Sequence, residues 1–96
     1  MDQTLDKVKT AMRIVTSDFD EELTDLISAG LADLGIAGVD GELAVITNSL
    51  VRQAVITYCK MHFGEPDEYE RLKASYDEQK AQLSMHTGYT VWGLNG

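Results

Sequence analysis

Residues 50–64, LVRQAVITYCKMHFG, decide how this chain folds. Apolar side chains fill most positions of the stretch, and only Gln53, Thr57 and Lys60 form a narrow polar strip. A helix that is apolar almost all round lies at the centre of a bundle, because neighbouring helices must cover it on several sides. The pattern therefore predicts a central helix over residues 49–63.

A second helix is predicted over residues 19–34. Residues 17–22, SDFDEE, contain two overlapping capping-box patterns, with Ser17 and Asp18 as the candidate caps, and crowd acids into the first turn. Both features favour a helix start. Gly35 is a natural residue to follow the last turn. Gly30 lies on the apolar stripe, where it either weakens the helix by about 1 kcal/mol or allows a neighbouring helix to cross closely; we favour the first interpretation. The stripe consists of Leu23, Leu26, Ile27, Leu31 and Leu34.

Two further helices flank these. Residues 4–13 have apolar side chains at helical spacing. Residues 66–84 begin with Pro66, which suits the first position of a helix, and continue with one apolar stripe. Residues 36–47 are rich in glycine and then apolar, and periodicity does not distinguish a short strand from a helix start there. We treat them as a loop with at most a turn of helix.

The ends of the central helix are also marked in the sequence. Asn48 or Thr47 can cap its first turn, and Gly64 can end it. Together the elements predict an all-α fold: a small bundle of about four helices with a flexible C-terminal tail. We expect a single domain over residues 1–96, with a helical core at about 4–84. Its predicted core residues are Leu26, Leu31, Leu50, Ala54, Val55, Tyr58, Leu72 and Tyr76.

Composition excludes several classes of function. The chain has 96 residues, of which 16 are Asp or Glu and 8 are Lys or Arg, for a net charge of −8. Such an acidic chain is a poor ligand for nucleic-acid phosphates or anionic membrane surfaces. No apolar run is long enough to span a membrane. Residues 1–4 show no signal-peptide pattern, and the single cysteine, Cys59, excludes an internal disulfide.

The sequence contains no motif that carries chemistry. Cys59 and His62 have the i, i+3 spacing of metal ligands, but His86 is the only other strong ligand and it is remote. We expect a buried thiol and a surface histidine, and neither a metal nor a cofactor. No nucleophile elbow, P-loop or dinucleotide motif occurs, so we predict no catalytic residues and no enzyme. The tyrosines at helical spacing are interpreted as core residues: Tyr58, Tyr69 and Tyr76.

The C-terminal segment, residues 85–96, has a different character. It places large apolar side chains among glycines beyond the last predicted helix. A small core has little room for them, so we expect the segment to order against a neighbouring subunit or partner. The predicted contact residues are Tyr89, Val91, Trp92 and Leu94.

The pattern as a whole resembles the small head–tail connector proteins of long-tailed phages and prophages. The resemblance rests on LDKVKTAMRI (residues 5–14), SDFDEELTDLISAGLADL (17–34), AVITYCKMHFG (54–64) and YERLKASYDEQKAQL (69–83), with GYT at 88–90. The glycine-rich segment at 35–48 and the final VWGLNG depart from it.

The resemblance implies a structural virion protein that forms a ring under the portal and links the DNA-filled head to the tail. Its implied partners are copies of itself, the portal and the tail-completion proteins, with DNA passing through unbound. It also implies location in the virion, and in the bacterial host cytoplasm during assembly. The alternative is a small acidic regulatory or protein-binding module, such as an antitoxin or a DNA mimic. A mimic would array its acids on one surface, whereas here they gather at predicted helix starts.

Overall fold

A computed structural model describes residues 2–36, 38–64 and 66–85, and in these ranges every regular element is a helix. The helices are α1 (Asp2–Met12), α2 (Asp20–Asp33), α3 (Gly38–Thr47), α4 (Ser49–His62) and α5 (Tyr69–Met85). The all-α prediction is confirmed, although the bundle has five helices rather than about four.

The central position of α4 is confirmed. This helix packs against each of the other four. Val51, Ala54, Val55 and Cys59 are completely buried on it. Its start is capped as expected, because the Asn48 side chain accepts hydrogen bonds from the amides of Leu50 and Val51, at 2.9 and 3.2 Å.

α3 was not predicted, because its residues were expected to form a loop with at most a turn of helix. In the sequence Gly41 disfavours a helix, yet its lack of a side chain allows the helix to pack. A Cβ atom at Gly41 would lie 3.0 Å from Cδ1 of Leu31 and 3.3 Å from the carbonyl oxygen of Ile36. Glycine therefore lets α3 approach the end of α2 closely, and Ala44 and Val45 on the same face are buried. Packing outweighs the low helix propensity of glycine.

The ends of α2 follow the predictions only in part. The C-terminus is as expected: Gly35 has a φ of 80°, and the amide of Ile36 donates to the carbonyl of Leu31 at 2.9 Å, which is the pattern of a Schellman motif. The predicted capping boxes do not form. Phe19 is the N-cap residue of α2, and no side chain caps the helix. The acids of the first turn favour the helix through its dipole alone.

The interpretation of Gly30 also needs correction. We favoured a simple loss of helix stability, but a Cβ atom here would lie 3.0 Å from Cδ1 of Tyr58. Gly30 is therefore the point where α2 and α4 cross closely.

The fourth predicted helix is also shorter than expected: α5 begins at Tyr69, and Pro66 lies before it.

The core is only partly the predicted one. Leu31, Ala54, Val55 and Tyr76 are buried as expected. Leu26, Leu50, Tyr58 and Leu72 are partly buried and pack against the core. Tyr69 was expected inside but is 37% exposed. Val8, Leu23, Ile27, Ile36 and Val45 complete the core. Leu23 and Ile27 belong to the predicted apolar stripe of α2, whereas Ile36 and Val45 lie in the segment that was expected to be a loop.

Candidate functional site

The most distinctive surface is a trough that follows the exposed side of α4, between α1 and the start of α5. It consists of two grooves of about 520 and 460 Å³ that share Ala11. The larger groove is lined by Ala11, Met12, Arg13, Lys60, Pro66, Asp67, Glu68, Arg71 and Leu72. The smaller is lined by Asp6, Lys7, Thr10, Ala11, Arg52, Gln53 and Ile56. We call these two grooves together the α1–α4 trough.

The floor of the trough is the polar strip of α4. Gln53 and Lys60 are exposed there, as the sequence predicts. Thr57 belongs to the predicted strip but is buried, and its hydroxyl donates to the carbonyl of Gln53 at 2.9 Å. On this side of the central helix, its neighbours thus leave Gln53 and Lys60 uncovered.

The trough gathers most of the basic side chains. Five of the eight Lys and Arg residues of the chain line it, together with three carboxylates. The three remaining lysines lie elsewhere and are all paired: Lys9 with Asp20 at 2.7 Å, Lys73 with Asp77 at 3.0 Å and Lys80 with Asp33 at 3.2 Å. The basic charge of an acidic molecule is therefore concentrated on one side.

Only two of the five trough cations are engaged. Arg52 donates to the carbonyls of Val45 and Ile46, both at 3.1 Å, where it caps the end of α3. Arg71 forms an ion pair with Glu68. Lys7, Arg13 and Lys60 have no hydrogen bond or ion pair within the described ranges. These three side chains are therefore available to carboxylates of another molecule.

Arg13 is held in an unusual backbone conformation. Its φ is 61°, the left-handed region, and it is the one described non-glycine residue with a positive φ. The amide of Arg13 donates to the carbonyl of Thr10 at 3.1 Å, and that of Ile14 donates to Lys9 at 2.9 Å. These bonds end α1 in a Schellman motif, whose left-handed position is usually glycine. An arginine here costs about 1–2 kcal/mol relative to a relaxed backbone, and it places a cation at the edge of the trough.

The opposite side of α4 carries a cluster of aromatic and polar side chains that joins three helices. The Tyr58 ring lies 4.4 Å from His62 and 5.6 Å from Tyr76, measured between centroids. The hydroxyl of Tyr76 donates to the Asp33 carboxylate at 2.5 Å, and Lys80 donates to the same oxygen. The cluster fastens α5 to α2 across α4, so its role is structural.

Electrostatics agree with that role. The hydrogen bond from Tyr76, opposed by burial and aided by Lys80, lowers the pKa of Asp33. Burial, followed by the bond to Asp33, raises the pKa of Tyr76. Burial raises the pKa of the Cys59 thiol to about 12. Cys59 is therefore a buried core thiol, and the raised pKa makes it a poor nucleophile because the nucleophilic form is the thiolate.

Within the described ranges, no three His, Cys, Asp or Glu side chains converge on a point that would hold a metal ion. His86 lies outside those ranges. No helix that the structure describes combines the length and apolar character needed to cross a membrane. The predicted contact residues Tyr89, Val91, Trp92 and Leu94 also lie outside the described residues.

The trough was not predicted from the sequence. The polar strip of α4 was predicted, but the cations Lys7 and Arg13 come from α1 and the residue that follows it, about 45 residues earlier in the chain. Only the packing of α1 beside α4 brings the two sets together. The positive φ of Arg13 was not predictable from the sequence either, because this position of a Schellman motif is usually glycine.

Comparison with known proteins identifies the family. The family model described as phage connector protein matches residues 4–90, a range that includes the trough and nearly all of the five helices. No curated protein and no solved structure matches the chain. The match covers most of the 96 residues. The chain is therefore a structural protein of phages and belongs to the phage connector family.

Proposed function

We propose that this protein is a head–tail connector that forms a ring under the portal and links the DNA-filled head to the tail. The observation that carries the proposal is the family match over residues 4–90. In this role the protein acts by position and contact, and it has no catalytic residues. Its partners are other copies of the chain, the portal and the tail-completion proteins. It is located in the virion, after assembly in the cytoplasm of the bacterial host.

The distribution of charge supports a place around a DNA channel. The net charge is −8, and the basic residues that are not already paired lie in one trough. The other surfaces therefore carry an excess of carboxylates, and such surfaces repel the phosphate backbone. A ring that exposes them to its lumen lets DNA slide through without binding.

The segment that follows α5 supplies a second kind of contact in this proposal. Tyr89, Val91, Trp92 and Leu94 dock on a neighbouring subunit or a virion partner. The family match ends at residue 90, so Val91, Trp92 and Leu94 lie outside the matched range.

Deleting the coding sequence from the phage or prophage that carries it tests the proposed function. We expect DNA-filled heads and free tails that do not join, seen by electron microscopy, with joining restored by the intact gene supplied in trans. Normal tailed particles from the deletion strain would contradict the proposal. That result, combined with tight binding to a host regulator or a DNA-binding protein, would favour the regulatory alternative.

A further inference from the structure

We propose that the α1–α4 trough receives the outer face of α2 from a second copy of this chain. This outer face consists of Glu21, Glu22, Asp25, Ser28 and Ala29, all of which are exposed. The inference rests on the proposed ring, and it identifies the two surfaces that meet between neighbouring subunits.

Charge complementarity is the first argument. The trough presents three cations without partners, Lys7, Arg13 and Lys60. The outer face of α2 presents carboxylates at positions 21, 22 and 25 that have no ion pair within the described ranges. Opposed potentials of this kind select a partner and set its register. The trough also contains the carboxylates of Asp6, Asp67 and Glu68, but five cations against three acids leave it a net positive charge that matches the acidic face of the next copy.

Shape is the second argument. A helix fits a trough between two helices when its facing side chains are small, because the backbones can then approach. The second half of the outer face carries Ser28 and Ala29, followed one turn later by the exposed Ala32. In this arrangement the acidic half of α2 lies against the cations, and the small half lies against the apolar part of the trough.

The positions of the two surfaces decide the symmetry. α2 packs against the Tyr58 side of α4, as the contact with Gly30 shows, whereas Lys60 lies in the trough. Side chains two positions apart on an α-helix point about 160° away from each other. The trough and α2 are therefore on opposite sides of α4. A contact between such surfaces is head-to-tail, and it closes into a ring when the rotation allows.

Zero-length crosslinking of a mixture of light and isotope-labelled protein tests the contact. A carbodiimide couples lysine to a touching carboxylate, and mixed-isotope products report contacts between different chains. We expect mixed products that join Lys7 or Lys60 to residues 21–25. Their absence at high protein concentration, or mixed products that join only other surfaces, would overturn the proposal.

Charge reversal gives an independent test. The variants K7E/K60E and E22K/D25K should each lose the crosslinks alone: the first has no lysine left in the trough to couple, and the second sets lysines against lysines. Mixed in equal amounts, they should regain crosslinks of two kinds, because the two unreversed surfaces meet each other and the two reversed surfaces also meet. Products that join positions 22 or 25 of the second variant, now lysines, to positions 7 or 60 of the first, now glutamates, report the reversed contact. The controls E78K and K73E change exposed charges on α5 and should leave the crosslinks unchanged. Circular dichroism confirms that each variant folds. Equal loss in the controls, or no recovery in the mixture, would contradict the contact.

The outcomes separate this contact from the proposed ring. Rings in electron micrographs with crosslinks at other surfaces would refute the contact and leave the ring standing. Crosslinks between the trough and α2 in open filaments rather than closed rings would support the contact and refute the ring. If the protein bound duplex DNA, if K7E/K60E abolished that binding, and if no chain-to-chain crosslinks formed, the trough would be a phosphate-binding site instead.

Discussion

At the scale of single residues, the backbone conformation of Arg13 lowers the stability of the fold, whereas its side chain supplies a cation to the proposed subunit contact. Its left-handed backbone disfavours any side chain with a Cβ atom. A glycine at this position relieves that cost and raises the entropy of the unfolded chain by a smaller amount. We predict that Arg13→Gly raises the free energy of unfolding by about 0.5–1 kcal/mol, measured by urea denaturation.

Gly64 provides the matched control for Arg13. It has a φ of 71° and nothing within 4 Å of the place where a Cβ atom would lie. Gly64→Ala should therefore lower stability by about 1 kcal/mol through the backbone alone. If Arg13→Gly were as destabilising as Gly64→Ala, the arginine would be stabilising its turn, and our interpretation of its conformation would be wrong.

Tyr76 and Asp33 make stability depend on pH. The hydrogen bond from Tyr76 lowers the pKa of Asp33 below its ordinary value of 3.8 in the folded protein. Folding is then favoured by the ionised carboxylate, and this contribution is complete above the ordinary pKa. It is lost as the pH falls from about 3.8 through the lowered pKa.

Tyr76→Phe should remove this contribution. We expect a loss of about 0.5–1.5 kcal/mol at neutral pH and a smaller difference from the wild type below pH 3.8, where the Asp33 carboxyl takes up a proton in the unfolded chain before it does so in the folded protein. Thermal melts of both proteins across this range measure the effect. A difference that is the same at both pH values would show that Asp33 does not act through the tyrosine.

At the scale of helices, the caps of α4 and α2 differ in a testable way. Asn48 caps α4 through two hydrogen bonds, whereas no side chain caps α2. We predict that Asn48→Ala costs about 1 kcal/mol and that Asn48→Asp costs much less.

Asp18→Ala is the matched comparison, because the sequence pattern names Asp18 as a cap and the structure does not. It should change the free energy of unfolding by a few tenths of a kcal/mol at most, through the helix dipole. Equal losses for Asn48→Ala and Asp18→Ala in urea denaturation would mean that a capping box does form at the start of α2.

The helices also show what a sequence can predict. The cores of α2 and α4 were predictable, because their apolar stripes are long and dense enough to outweigh local exceptions such as Gly30. α3 was not predictable: its glycines oppose a helix locally, and the close approach to Leu31 and Ile36 that favours it is a tertiary contact. The trough was hidden for the same reason, since it depends on which helices are neighbours.

At the scale of the whole molecule, residues 86–96 can be removed to test their role. We predict that their deletion leaves helicity and melting temperature nearly unchanged but impairs assembly of the virion. Three or four apolar side chains do not offset the cost of ordering so many residues on an isolated chain. The fluorescence of Trp92 should be typical of a water-exposed indole in the free protein and shift to the blue on assembly. Unfolding of the shortened chain would instead place the segment in the core.

The central claim is that this chain is a ring-forming connector between head and tail. Cryo-electron microscopy of the portal vertex of mature virions tests it most directly. The account predicts a closed ring on the side where DNA leaves the portal, with the five helices fitting each subunit. The outer face of α2 in each subunit should lie in the α1–α4 trough of its neighbour. Virions whose portal meets the tail without this chain would contradict the account.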